Sequence, residues 1–167
     1  MKVLITNMHP RGGGGHDRYI SYLTKLDDIE IHIAAPKCSA IYNQLKSTNY
    51  PRLWACDFPS NFFREFMPMM YAVKKLKEII STIEPEIVHV NAGADQLIAM
   101  IAHPFCPSYK IIRTHHAIRH INKDLYHYFL YNKIIAANIY VSRPAKNLAL
   151  SKGLQVMNAT VINNGVD

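Results

Sequence analysis

Apolar and polar positions alternate between two rhythms along this chain, short buried runs and longer stretches with helical spacing. Residues 2–6 (Lys-Val-Leu-Ile-Thr) form a compact apolar run that reads as a buried strand, and Ile20, Leu23 and Leu26 then recur at helical intervals. Residues 29–35 alternate before Pro36 stops them, giving a second strand beside the first, with His32 as a structural residue on its face. A short helix is expected over 39–45 and a third short strand over 52–56. The clearest helical pattern covers 62–83, where Phe62, Phe63, Phe66, Met70, Val73, Leu76, Ile79, Ile80 and Ile83 share one stripe. Lys74, Lys75, Lys77 and Glu78 lie off it, and Pro68 should kink or divide the helix. That stripe is expected to pack against a sheet.

After Glu84-Pro85-Glu86 comes an apolar strand over 87–91, and a helix followed by a proline turn and a strand makes a crossover unit, so the sheet should be parallel. A helix over 95–103, a strand over 110–114, a tyrosine-bearing helix over 122–138 and a strand over 139–141 continue the alternation. Ser142 caps a further helix with Pro144 in its first turn and Gly153 at its stop, and a last strand falls at 160–162. The fold class is therefore α/β: a Rossmann-like, doubly wound parallel sheet flanked by helices.

Composition narrows the setting. The 167 residues are 49% hydrophobic and 19% charged, as in a globular protein, and a chain of this length buries about 70% of its unfolded surface. Cys38, Cys56 and Cys106 are too widely spaced for a zinc knuckle or a disulfide framework, which favours a reducing compartment. The opening apolar run is too short for a signal-peptide core, and no later run approaches the ~20 residues needed to cross a bilayer. A cytoplasmic location is expected. The net charge of +7 and pI near 9.3 favour anionic partners, among them nucleotide diphosphates, acidic lipid surfaces and nucleic acid.

Two stretches carry candidate chemistry. The first is Arg11-Gly12-Gly13-Gly14-Gly15-His16-Asp17-Arg18-Tyr19, between the first strand and the first helix. Glycines leave backbone N–H groups free to turn toward an anion, and the helix adds its own unpaired amides. The loop lacks the Gly-Lys-Ser/Thr ending of a P-loop and the spacing of the dinucleotide fingerprint. The second is Thr114-His115-His116-Ala117-Ile118-Arg119-His120, at the end of a strand where open α/β sheets bind ligands. It has no His-Glu-x-x-His pattern and no suitably spaced carboxylate or cysteine, so a hydroxylated or phosphorylated ligand is expected there and a metal is not. Asn91 to Asp95 lies beyond the end of another strand. Tyr126, Tyr128 and Tyr131 sit among basic residues without any recognised nucleic-acid motif, so no nucleic-acid partner is expected.

In this order the pieces resemble the amino-terminal domain of family 4 type retaining GT-B glycosyltransferases, over nearly the whole chain. Gly14-Gly15-His16-Asp17-Arg18-Tyr19 is similar to that family's Gly-Gly-x-Glu loop, with Asp17 where the family has the longer Glu. Pro85-Glu86-Ile87-Val88-His89 is similar to its Pro-Asp-Ile-Val-His, Thr114-His115-His116 to its Thr-x-His, and Val141-Ser142 to its Val-Ser helix start. Residues 161–167 are similar to Val-Ile-Pro-Asn-Gly-Val-Asp, with Asn163 in place of Pro.

The resemblance implies that 1–167 is the acceptor-side half of a GT-B fold and that a carboxy-terminal donor-binding domain lies outside this chain. It implies transfer of a sugar from a nucleotide-diphosphate donor to a glycan or lipid-linked acceptor, with retention and without a cofactor, the isolated domain being inactive. His116 would be the catalytic-site histidine that positions the donor sugar. Gly14, Gly15 and His16 would meet the donor phosphate. Arg11, Asp17, Asn91, Arg113 and Arg119 are candidate acceptor or phosphate contacts by proximity. Peripheral contact with the inner face of a membrane, through 58–70, would suit a lipid-linked acceptor. The alternative from another class is a noncatalytic Rossmann-like nucleotide- or anion-binding module.

Overall fold

The computed structural model describes residues 1–9, 15–61, 64–116, 129, 133–151 and 158–163. Its frame is a seven-stranded sheet, β1 (Lys2–Thr6), β2 (Glu30–Ala35), β3 (Leu53–Ala55), β4 (Ile87–Val90), β5 (Lys110–His115), β6 (Ile135–Tyr140) and β7 (Ala159–Val161), in the order β3-β2-β1-β4-β5-β6-β7. Every pairing is parallel, as the crossover reading requires. Central parallel strands are covered on both faces and so read as apolar throughout. β2 illustrates this: Ile31 to Ala35 are all buried, His32 included, so the expected polar alternation does not mark a solvent face. Glu30 and the Trp54 indole, which donates to His32 Nδ1 at 3.1 Å, occupy the two nitrogens of that ring.

Helices α1 (Gly15–Leu23) and α2 (Ala40–Ser47) lie on one face, α3 (Phe66–Ile83), α4 (Gly93–Ala102) and α5 (Arg143–Ser151) on the other. On the first face Val3, Ile5, Ile31 and Ile33 meet Ile20, Ile41 and Leu45. On the second, Leu4, Val88, Val90 and Ile111 meet Leu76, Ile79, Ile80, Ile98 and Ala99. The winding reverses between β1 and β4, because β1 feeds a helix on one face and β4 a helix on the other.

Several boundaries differ from the sequence reading. α3 starts at Phe66, with Pro68 in its first turn, where the missing N–H belongs to the unpaired set anyway, so no kink follows. Its buried stripe runs through Met69 (1% exposed) instead of Met70 (45%). The helix expected to reach Asn138 is overturned at its end, because 135–140 is strand β6, hydrogen-bonded between β5 and β7. Most of that expected helix, like the Gly153 stop, lies outside the described residues. Ser39 caps α2 by accepting from the Tyr42 amide at 3.2 Å, and the Ser142 hydroxyl accepts from the Ala145 amide at 3.4 Å.

Candidate functional site

Strand ends β1, β4 and β5 deliver Thr6-Asn7, Asn91 and His115-His116 to one edge, beside the N-terminus of α1. Ligands of open α/β sheets bind at this edge, where the strand order reverses. On the α4 side, Asp95 is completely buried at the third position of its helix. Its carboxylate accepts from the amides of Asn91 (2.9 Å), Ala92 (2.9 Å) and Gln96 (3.0 Å) and from the Thr6 hydroxyl (2.7 Å). Burial raises its pKa, opposed by these donors and by the nearby Arg113 guanidinium. Asp95 thus ties the helix start to β1 and β4 at once.

Asn91 carries that tie to the ligand edge. Its Nδ2 donates to the Thr6 carbonyl at 2.8 Å, and its Oδ1 lies 2.9 Å from His116 Nε2. The His116 ring sits on the α1 side of the edge, 3.9 Å between centroids from His16 and 5.4 Å from Tyr19. His9, just beyond β1, packs edge-on to His16 at 4.5 Å. Beneath them His89 Nε2 is 2.7 Å from Thr114 Oγ1, which the Tyr19 hydroxyl also meets. Among the described residues His9 Nε2 and His116 Nδ1 are buried without a hydrogen-bond partner.

Burial favours the neutral ring at His116, His89 and His115. Burial, with His16, His89, His9 and His115 close by, lowers the pKa of His116 to about 3. Burial alone lowers His89 to about 4, and burial with Arg113 beside it lowers His115 to about 4. Burial also raises the Tyr19 phenol. At neutral pH His116, His89 and His115 are therefore uncharged hydrogen-bonding rings, with positive potential supplied by the first amides of α1. The rings pack against one another, and among the described residues no group of three His, Cys, Asp or Glu is placed to hold a metal ion.

The sequence-derived candidates divide accordingly. His116, His16 and Asn91 come together. Gly15 is the first residue of α1 and is exposed, whereas Gly14, Arg11 and Arg119 lie outside the described residues. Asp17 is buried and accepts from Asn7 Nδ2 at 3.4 Å. Arg113 donates to Gln96 Oε1 on the α4 side, and its charge reaches His115. Thr6, Asn7 and His9 escaped the sequence reading, and Tyr19 and Asp95 fell at the ends of its candidate stretches without an assigned role. The polar run Thr6-Asn7 at the end of the first strand was the available signal.

Comparison with known proteins adds the following. The family described as Glycosyltransferase Family 4 matches residues 14–167. No curated protein matches the sequence. Among solved structures, Anabaena Alr3699/HepE in complex with UDP-glucose superposes with a TM-score of 0.75 at 18% identity, over 100% of this chain and 44% of its own. The lipopolysaccharide outer core galactosyltransferase WaaB gives 0.69 at 15% identity, over 99% of this chain and 46% of its own. UDP-GlcNAc 2-epimerase from Methanocaldococcus jannaschii gives 0.65 at 16% identity, over 98% and 46%. These likenesses are of fold, and the chain spans less than half the length of each.

Proposed function

Because the chain belongs to Glycosyltransferase Family 4, we propose that it is the amino-terminal, acceptor-side domain of an enzyme that moves a sugar from a nucleotide-diphosphate donor to an acceptor, with retention and without a metal. The second domain that completes the donor site lies outside this chain, and the chain alone does not turn over. The observation that carries this reading is the placement of His116, braced by Asn91 and directed to the α1 N-terminus at the point where the sheet reverses its winding. Gly14 and Gly15 let main-chain amides approach the diphosphate, and together with the α1 dipole they stabilise the charge that develops as it leaves. His16 borders the same space. His116 holds the donor sugar in place.

The acceptor is a glycan or a lipid-linked molecule. A surface feature supports the second form: Phe66, Met67, Met70 and Tyr71 are exposed on the first turns of α3, with Lys74 following. An apolar turn beside lysines suits the interface of an anionic membrane, and the protein would act at its cytoplasmic face. Among the described residues no helix is long and apolar enough to cross a membrane.

The test joins the chain to the second domain that its downstream reading frame is proposed to encode and follows nucleoside diphosphate release from a panel of nucleotide sugars. Turnover is expected, with a loss of about 100-fold in kcat on His116→Ala. An unaffected variant would overturn the role of the histidine. Tight nucleotide binding by the 167-residue chain, with no turnover in the joined protein, would favour a noncatalytic binding module.

A further inference from the structure

We infer that Asn91 is a positioning residue that fixes His116 as its Nε2–H tautomer, so that the histidine meets its ligand as a hydrogen-bond acceptor through Nδ1. The orientation of the Asn91 amide decides this. Its main-chain partner is the Thr6 carbonyl oxygen, 2.8 Å away, which can only accept, so the NH2 group must face it. The oxygen Oδ1 is thereby turned to His116 Nε2 at 2.9 Å, and an amide oxygen can only accept. Nε2 must carry the proton. The remaining choice is between the neutral ring and the doubly protonated one, and burial among His9, His16, His89 and His115 disfavours the charged form. Nδ1 then holds a lone pair, and among the described residues it is buried without a partner.

A buried acceptor without a partner selects its ligand. Phosphate oxygens at neutral pH offer no proton, so Nδ1 does not bind the diphosphate. Its complement is a hydroxyl or amide N–H, and under the transferase reading, on which this step rests, that group is a hydroxyl of the transferred sugar. Replacing that hydroxyl by hydrogen or fluorine would weaken kcat/KM by about 10–100-fold, whereas changes at the phosphates would leave this contact untouched. The polarity of the site histidine does not await the ligand. It is set one residue deeper, by a backbone carbonyl of β1 read through a side chain after β4.

The experiment is long-range 1H–15N correlation on the 15N-histidine-labelled 167-residue chain at pH 7, with His116→Gln used to assign the ring. The expected spectrum has a protonated Nε2 and a strongly downfield, unprotonated Nδ1. A protonated Nδ1, or the tautomer mixture of free histidine, overturns the proposal. Asn91→Asp keeps an acceptor for Nε2–H and should preserve the tautomer, whereas Asn91→Ala should release it toward the mixture. If Asn91→Ala leaves the His116 tautomer unchanged, the positioning role falls. Should that variant not fold, the wild-type spectrum still decides. The spectra need no turnover, so a failed transferase assay and a wrong tautomer are separate results.

Discussion

Acidification should unfold this chain earlier than its carboxylates alone would dictate, and His89 allows the effect to be isolated. Its ring lies beneath the candidate site, its Nε2 2.7 Å from Thr114 Oγ1, and burial lowers its pKa from 6.5 to about 4. Between those values the native chain keeps His89 neutral while the unfolded chain protonates it. The unfolded state thus binds more protons, so stability is complete above about pH 6.5 and falls as pH drops toward 4. At 1.4 kcal/mol per pH unit, His89 accounts for ~3 kcal/mol across the window. His115 is lowered to about 4 for similar reasons and contributes in the same direction. Set against the ~5–15 kcal/mol of a typical domain, this is a large share. Asp95 acts in the opposite sense, because burial raises its pKa, so a difference between variants is more informative than an absolute slope. Guanidinium titrations followed by circular dichroism at pH 7, 6, 5 and 4 should show wild type losing ~3 kcal/mol more than His89→Gln. Parallel pH profiles for the two proteins would refute the claim that the fold holds His89 neutral.

Two further outcomes follow from other features. Asp95→Asn turns an NH2 group toward donors that now converge on a carboxylate, the Thr6 hydroxyl at 2.7 Å and the Asn91 amide at 2.9 Å. It should destabilise the chain by ~3 kcal/mol, measured by the same titration, and a change below ~1 kcal/mol would mean that Asp95 is not the tie between β1 and α4. Vesicles of anionic lipid should float the wild-type chain at low salt and release it when Met67 and Tyr71, 74% and 68% exposed, are both replaced by Glu. Absence of wild-type flotation at low salt would remove the membrane surface from the proposed function.

The sheet was legible because each parallel strand is an apolar run closed by a proline, glycine or polar group, a signal that needs no partner to be read. Strand β6 was legible only at its end, Ile139-Tyr140, because Ile135-Ala136-Ala137-Asn138 contains alanines that favour helix in isolation, and only pairing with β5 and β7 overrides that preference. The phase error on α3 has a similar origin. Met69 and Met70 are interchangeable in composition, and packing against α4 and the sheet decides which one turns inward. At the site, His116 and Asn91 could each be identified as residues beyond a strand end. That they touch depends on the β4–β5 register, which sets Val90 opposite Arg113 and brings the residues after both strands side by side. His9 and Thr6 belong to the same edge only because β1 pairs with β4, although 81 residues separate Thr6 from Ile87.

The acceptor that orients Asn91 is the main-chain carbonyl of Thr6, an atom that every residue type possesses at that position. Substitution at position 6 can alter the hydroxyl held by Asp95 but cannot delete the carbonyl. The histidine is therefore referenced to the sheet backbone itself. The height and tilt of the imidazole above the sheet are thus anchored in main-chain geometry and not in the choice of side chain at position 6.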